Sequence, residues 1–424
     1  MNAFDLLYLT GGALASPWLL RKQRKGWKER FGHVAGLPAK TRARLMVHAV
    51  SVGEVNALRH LVPLLAGGSE SEFDLVITAG TDTGLARAQE LFSKHAIVLR
   101  YPLDFSASVK RFLDAVRPDA VGLVELEVWP NFIRECEKRG VPVGVINGRL
   151  SERSFRGYRK VRGVLGRTFG RLAFAAAQDE SYAERFCAMG VPPERVSVTG
   201  TMKWDAAVVP DDPSTLVPGA AELAAEMGID RQRPLIVAGS TGPGEEEMLK
   251  LACPEGTQLL CAPRKPERFD EAARALEGCV RRSMVKGKGA RTPGGRYFLL
   301  DTIGELRMAY SLASVTVVGR SFIDLFGSDP IEPAALGKPV VIGPRVSDFQ
   351  QTVETFEKAV AIRKVDPAEL GRVLADLLSD GAERARLGEA ARRTVLENKG
   401  ASARHADLLR EMVQKAVRNA STGH

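Results

Sequence analysis

Residues 120–131 read AVGLVELEVWPN, Ala120 to Asn131. Five apolar or small residues give way at Glu125 to a pair of carboxylates, and Pro130 follows. An apolar run without alternation is how a strand buried on both faces reads. Proline is favoured at the first position of a helix. The stretch therefore reads as strand, polar turn, helix, with Glu125 and Glu127 at the C-terminal end of the strand. The same punctuation recurs on both sides. Met46–Val50, Leu75–Ala79, Val141–Ile146, Phe174–Ala177 and Val196–Val198 are short apolar runs, and Glu54–Leu65 and Thr83–Phe92 have helical periodicity. The series halts at Val208–Gly219 (VVPDDPSTLVPG), whose three prolines read as a linker. It resumes with strands at Leu235–Ala238, Gln258–Cys261, Val315–Val318 and Val340–Ile342, and a helix at Glu245–Leu251. From Pro367 to about Ala416 the chain is rich in Ala, Leu, Glu and Arg and reads as helices. Alternation of this kind predicts an α/β protein with two doubly wound, Rossmann-like domains. Ligands in such folds bind beyond the C-terminal ends of the strands, which places the site in a cleft between the halves.

The 424 residues suit two or three domains, and 45% hydrophobic with 26% charged residues is an ordinary globular balance. Aromatic residues are 6% of the chain, too few for a base-stacking platform, so no nucleic-acid partner is expected. Five cysteines in no CxxC pair predict neither a disulfide framework nor a metal site. The net charge of +9 is concentrated: six basic residues and one acid, Glu29, lie between Arg21 and Arg30. They follow Phe4–Leu20 (FDLLYLTGGALASPWLL), an apolar segment broken by Asp5, Thr10 and Ser16. A cleaved signal peptide carries its charge before the apolar part, not after it. A spanning anchor, a helix lying in the membrane interface and a helix buried in the protein remain open. Clustered charge beside apolar sequence points to an anionic membrane surface. The expected division is anchor and basic segment 1–30, first domain 31–207, linker 208–219, second domain 220–398 and a C-terminal helix 399–424.

Several turns carry candidate chemistry. Ser51, Gly53 and Glu54 follow the first strand, where a glycine turn and a helix N-terminus can face an anion; a plain strand–helix turn is the other reading. Its spacing is not GxGxxG, which argues against a dinucleotide site. Glu125 and Glu127 can hold sugar hydroxyls or act as bases, or cap the following helix. Arg149 and Arg153, in NGRLSERS, can grip a phosphate or form surface ion pairs. In the second half, Ala238–Glu245 (AGSTGPGE) is an anion cradle of small residues, and Arg264 and Lys265 end the next strand with two cations. Gly327–Ala335 (GSDPIEPAA) leads into a helix with Glu332 in its first turn, suited to a nucleotide's phosphate and ribose or to capping.

Taken together, these stretches resemble the bacterial transferases that move 3-deoxy-D-manno-octulosonic acid (Kdo) in lipopolysaccharide synthesis. The segments that match, in the family's order, are KERFG (28–32), HAVSVGEV (48–55), ELEVWPN (125–131), NGRLSERS (147–154), GYRK (157–160), VTGTMKWD (198–205), AGSTGPGEEE (238–247), APRKPERF (262–269), DTIGEL (301–306) and DPIEPAALGKPV (329–340). The resemblance implies a GT-B fold preceded by a membrane anchor helix, and an inverting transferase that needs no metal or other cofactor. It implies CMP-Kdo as donor, a membrane-embedded lipid A precursor as acceptor, and a place on the cytoplasmic face of the inner membrane. By the same resemblance Glu29 is the general base and Glu127 a second functional carboxylate. Ser240, Thr241, Arg264, Lys265, Gly327, Asp329 and Glu332 become donor contacts, and Ser51, Gly53, Glu54, Arg149 and Lys203 acceptor or phosphate contacts. The chain departs from the pattern at Gly242, Lys265 and Ser328-Asp329, where the family usually has His, His and His-Asn. It departs again at Asn56, Thr201 and Arg320, where Arg, Asn and Gly are usual. Asp329 near a donor phosphate calls for a compensating cation, for which Lys265 is the expectation. Two other readings stand beside Kdo transfer: a transferase for another nucleotide sugar, and an inactive homologue that binds at the membrane surface.

Overall fold

A computed structural model describes residues 4–6, 8, 26–67 and 73–422. The chain forms two units, one of residues 1–206 with 399–424 and one of residues 207–398. In the first unit seven strands are β1 (Arg44–Ala49), β2 (Asp74–Ala79), β3 (Ile97–Arg100), β4 (Ala120–Val124), β5 (Val143–Gly148), β6 (Phe174–Ala177) and β7 (Val196–Val198). Their order is β3-β2-β1-β4-β5-β6-β7, and every neighbour pair is parallel. The chain steps outward from β1 to β3 and then crosses back to β4, so the strand order reverses between β1 and β4. Both of these strands are buried along their whole length; β4 is apolar or small throughout, whereas β1 carries Arg44 and His48 into the buried sheet.

The C-terminal helix Ala401–Thr422 belongs to this first unit. Leu409 and Val413 share a core with Leu45, Val47, Ala120 and Val124. A Cβ on Gly122 would lie 2.8 Å from Leu409 Cδ2, so a glycine in β4 lets the helix close on the sheet. Asp205 caps the helix, its carboxylate accepting from the Gly400 and Ser402 N–H groups at 2.6 Å each. The sequence shows a helical stretch here and nothing of where it packs.

The second unit repeats the plan. Its strands are β8 (Leu235–Thr241), β9 (Gln258–Pro263), β10 (Val280–Arg281), β11 (Tyr297–Leu299), β12 (Val315–Val318), β13 (Val340–Ile342) and β14 (Arg363–Lys364), in the order β10-β11-β9-β8-β12-β13-β14. The reversal falls between β8 and β12. Residues 208–219, expected as a linker, are fastened to this unit: Val217 is buried, Arg392 donates to Pro210 O at 2.9 Å and Arg307 to Val208 O at 2.9 Å. Four strands escape the sequence reading. β10 and β14 have two residues each, and β3 and β11 are short strands near sheet edges. The helix expected at 54–65 is two helices, Val52–Ala57 and Leu61–Ala66. Pro63 has no N–H to give to residue 59, so a continuous ladder is broken there.

Phe4–Leu6 and Tyr8 are the described part of the apolar N-terminal segment. The Asp5 carboxylate accepts from Ser106 N at 2.8 Å, Ser106 Oγ at 2.5 Å and Asn131 Nδ2 at 3.1 Å. It thus serves the N-terminus of the helix Ser106–Val116, where a carboxylate also suits the dipole. Residues 9–20 of that segment and the basic residues 21–25 lie outside the described residues. Among the described residues no helix is long and apolar enough to cross a membrane.

Candidate functional site

In the first unit the expected residues gather where the strand order reverses. Ser51, extended at the end of β1, caps the helix Val52–Ala57, its Oγ accepting from Glu54 N at 3.4 Å. Glu54 reaches back, accepting from Val50 N at 2.8 Å and from Ser51 Oγ at 2.9 Å. This reciprocal pairing engages both side chains in the turn, whereas they were expected at the acceptor. Gly53 is not required by the turn either: its φ is not left-handed, and a Cβ there would meet only Ser51 Oγ, at 3.7 Å.

After β4 the chain turns through Glu125 at φ 60°, a left-handed residue that is not glycine. Burial raises the Glu125 pKa and the Glu54 carboxylate adds to it, while Arg149 and Lys203 oppose. Those two cations, 54 residues apart in sequence and both exposed, therefore meet the acids at one place. Burial pushes Glu127 up to about 7; the Trp129 Nε1–H, donating at 2.7 Å, opposes it, and Glu54 and Glu125 add to it.

Beside this cluster lies a cavity of about 820 Å³ whose wall includes Arg30, His48, Asp82, Tyr101, Asp104 and Glu127. Glu29 lies on the helix Trp27–Arg30, whose last residue, Arg30, lines the cavity. Its carboxylate does not pair with Lys28 or Arg30. Arg100 Nε, at the end of β3, holds Glu29 Oε2 at 2.9 Å and gives Nη1 to Asp82 at 2.6 Å. Arg30, almost buried, bonds the same Asp82 at 3.2 Å and Gly80 O at 3.2 Å. Arg30, Asp82 and Arg100 were not singled out in the sequence. Asp82 and Arg100 share one signal, position at or just after the ends of β2 and β3, of which β3 was unread; Arg30 sits on the helix before β1. Asp104, buried and pushed up to about 7, accepts from Asn131 N at 3.0 Å and Phe132 N at 2.7 Å and so caps the helix Pro130–Lys138. Tyr8 donates to it at 2.9 Å.

The Glu127 shift gives a stability prediction. The folded protein binds the Glu127 proton more tightly than the unfolded chain, so the stabilisation is complete below about 4.5 and is lost as pH rises through about 7. Glu127→Gln is expected to leave stability near pH 4 unchanged and to raise it above pH 7. Urea midpoints across that range test it; a constant difference between the two proteins would rule out this origin.

The second unit builds a different site at the reversal between β8 and β12. Ser240 and Arg320, at the ends of those strands, are both left-handed at φ 58°. Glu245, opening the helix Glu245–Ala252, clamps the two turns: it accepts from Gly242 N at 2.8 Å, Arg320 N at 2.6 Å and Phe322 N at 3.1 Å. Thr241 departs from expectation. It is fully buried and its hydroxyl donates to Glu246 at 2.6 Å, so it supports the loop from beneath and offers no side chain to a ligand. Arg268 completes that support, bidentate on Glu246 at 3.0 and 2.9 Å and donating to Thr241 O at 3.1 Å. Arg264 and Lys265 remain exposed, with Arg264 N bonded to Thr241 O at 3.1 Å.

Gly327 is needed at its place. Its φ is 84°, and a Cβ would approach Arg345 O and Val346 Cα to 3.0 Å. Asp329 accepts from Ile331 N at 2.9 Å and so starts the helix Ile331–Ala335. Glu332 is exposed on that helix; surrounding protein raises its pKa, opposed by Arg307. Tyr310 was not singled out, yet its hydroxyl packs on β8, where a Cβ on Gly239 would come within 1.9 Å of it. The charges of Glu332 and Asp329 act on that same hydroxyl. The departure at Gly242 also has a steric basis: a Cβ would sit 2.9 Å from Ile323 Cδ1 and 3.1 Å from Leu325 Cδ1. The loop after Arg320 fills the space that a side chain at 242 would take.

Two doubly wound parallel-sheet units in one chain, each with polar turns at its strand reversal, are the make-up of a GT-B glycosyltransferase. Residues 25–206 match the family model for 3-deoxy-D-manno-octulosonic-acid transferase (kdotransferase), and residues 296–394 that for glycosyl transferases group 1. The 3-deoxy-D-manno-octulosonic acid transferase of Haemophilus influenzae is 30% identical over 408 residues, covering 93% of each chain. That of Bordetella pertussis is 32% identical over 422 residues, covering 93% of this chain and 95% of its own. A solved glycosyltransferase from Rickettsia africae shares the fold with a TM-score of 0.60 at 12% identity, over 88% of this chain and 99% of its own. The chain belongs to the 3-deoxy-D-manno-octulosonic acid transferase family.

Proposed function

We propose that this protein moves Kdo from CMP-Kdo to a lipid A precursor, with inversion, at the cytoplasmic face of the bacterial inner membrane. The observation that carries this reading is the family relationship, which extends over 93% of the chain. In the proposed reaction Glu29 takes the proton from an acceptor hydroxyl. The hydroxyl oxygen bonds the anomeric carbon of Kdo, the bond from that carbon to the phosphate oxygen breaks, and CMP leaves with the electron pair. Arg264, Ser240 and the turns clamped by Glu245 meet the nucleotide; Glu332 meets its ribose. Arg149 and Lys203 meet acceptor phosphates. No metal or cofactor enters the proposal.

The apolar segment Phe4–Leu20 and the basic residues after it support attachment to an anionic membrane. So do exposed Trp27, Phe31, Tyr158, Val161 and Val164 on the first unit, the last three near Arg153, Arg156 and Arg159. The test is CMP release from freshly made CMP-Kdo, with and without the lipid acceptor, against a UDP-sugar in its place. Acceptor-dependent release from CMP-Kdo alone is expected. Release of UDP from the UDP-sugar, with no CMP release from CMP-Kdo, overturns the donor, and lipid binding without release of either nucleotide overturns the enzyme.

A further inference from the structure

His48 and Tyr101 carry polar atoms that no group satisfies among the described residues. His48, near the end of β1, is fully buried and stacks on Tyr101, just beyond β3, with ring centroids 3.7 Å apart and planes 16° from parallel. His48 Nδ1 lies 3.0 Å from Thr78 Oγ1 and 3.3 Å from Thr78 O. A carbonyl oxygen can only accept, and Thr78 Oγ1 gives its own proton to Val47 O at 3.4 Å. The Thr78 carbonyl favours the tautomer with the proton on Nδ1, in which Nε2 presents a lone pair. Burial lowers the His48 pKa to about 3, which keeps the ring neutral. Nε2 and the Tyr101 hydroxyl are both buried without a hydrogen-bond partner among the described residues. Buried polar groups are normally paired, so two orphans on stacked rings call for an explanation.

Both residues belong to the wall of the 820 Å³ cavity that Asp82 and Glu127 also line. The pair defines the chemistry it accepts. A bare acceptor nitrogen next to a hydroxyl is complementary to an alcohol, which donates to Nε2 while its oxygen accepts from Tyr101. A phosphate or carboxylate brings no proton for Nε2 and meets no positive charge on the ring. We infer that His48 Nε2 and Tyr101 Oη form a hydroxyl-binding subsite that holds the acceptor's sugar in the cavity. This rests on the proposed Kdo transfer for the identity of the acceptor; the two residues position the sugar and take no proton from it.

Tyr101→Phe deletes the hydroxyl and keeps the stack; His48→Asn keeps an amide near Thr78 and deletes Nε2. Each is expected to raise the acceptor KM about tenfold and to leave the donor KM and the melting temperature unchanged. In wild-type protein labelled with ¹⁵N-histidine, the His48 Nε2 resonance is expected to move when the lipid A precursor is added in detergent, and not when CMP is added. An unchanged acceptor KM in Tyr101→Phe with an unmoved resonance overturns the subsite. So does a parallel rise of donor and acceptor KM with a fall in melting temperature, if the resonance also stays in place. Should wild-type protein release no CMP while the resonance still responds to the lipid, the subsite stands and the transfer reading falls.

Discussion

Glu29→Gln is expected to reduce acceptor-dependent CMP release by about 10²- to 10⁴-fold, the usual worth of a positioned general base. Stability should change by less than about 1 kcal/mol, because the Glu29 side chain is 54% exposed and buried Arg100 keeps Asp82 as its partner. The two readouts together separate the chemical role from a structural one. Arg100 holds one carboxylate oxygen at 2.9 Å; the other has no hydrogen bond among the described residues and is open to an acceptor hydroxyl. In the proposed reaction Glu29 takes the proton of the attacking hydroxyl as its oxygen bonds the anomeric carbon, so the loss should fall on kcat more than on either KM. Arg100→Met should produce a smaller fall in the same direction, since the base remains and only its orientation is released. Full transfer by Glu29→Gln would remove the base from this residue and leave it as an acid whose role is its pairing with Arg100.

Glu245→Ala is expected to cost at least about 3 kcal/mol of stability in the second unit. Three backbone N–H groups, of Gly242, Arg320 and Phe322, lose their acceptor, and each buried donor left unpaired costs about 1–3 kcal/mol. The loss is concentrated at the strand reversal. Two left-handed residues other than glycine, Ser240 and Arg320, are held there against their own preference. With the clamp removed both turns relax, so the donor KM should rise while the acceptor KM does not. Glu245→Gln keeps one acceptor oxygen and should lie between the two. Urea denaturation and donor KM measured on the same preparations decide it. A loss below about 1 kcal/mol in the alanine variant would show that the turns hold without the clamp.

Much of the framework is legible in the residues. β4, β6, β12 and β13 coincide with their apolar runs to the residue, because strands inside a parallel sheet are buried on both faces and leave no alternation to confuse the reading; β7 coincides as well, although it is an edge strand and mostly exposed. Edge strands do leave gaps: β3 ends on Arg100 and its first three positions are only half buried, so its pattern is weak. Missing β3 meant missing Arg100, and with it the real partner of Glu29. Thr241 shows the opposite error. A hydroxyl in a glycine-rich turn looks like a ligand contact, and only its burial against Glu246 shows that it faces inward.

The sequence by itself determined two α/β units, the strand ends on which polar residues fall, and a motif order shared with one transferase family. Those properties are written in short windows, as apolar runs, capping residues and turn glycines, and short windows are what a sequence displays. The tertiary structure alone decided which residues act together. It joined Glu29 to Arg100 across 71 positions, Asp5 to Ser106 across 101 and His405 to Asn147 across 258. It also stacked His48 on Tyr101 and left His48 Nε2 and the Tyr101 hydroxyl without partners among the described residues. The physical reason is that hydrogen bonds and ring contacts between distant segments have no period along the chain. They exist once the sheet has brought the ends of separate strands to a common edge.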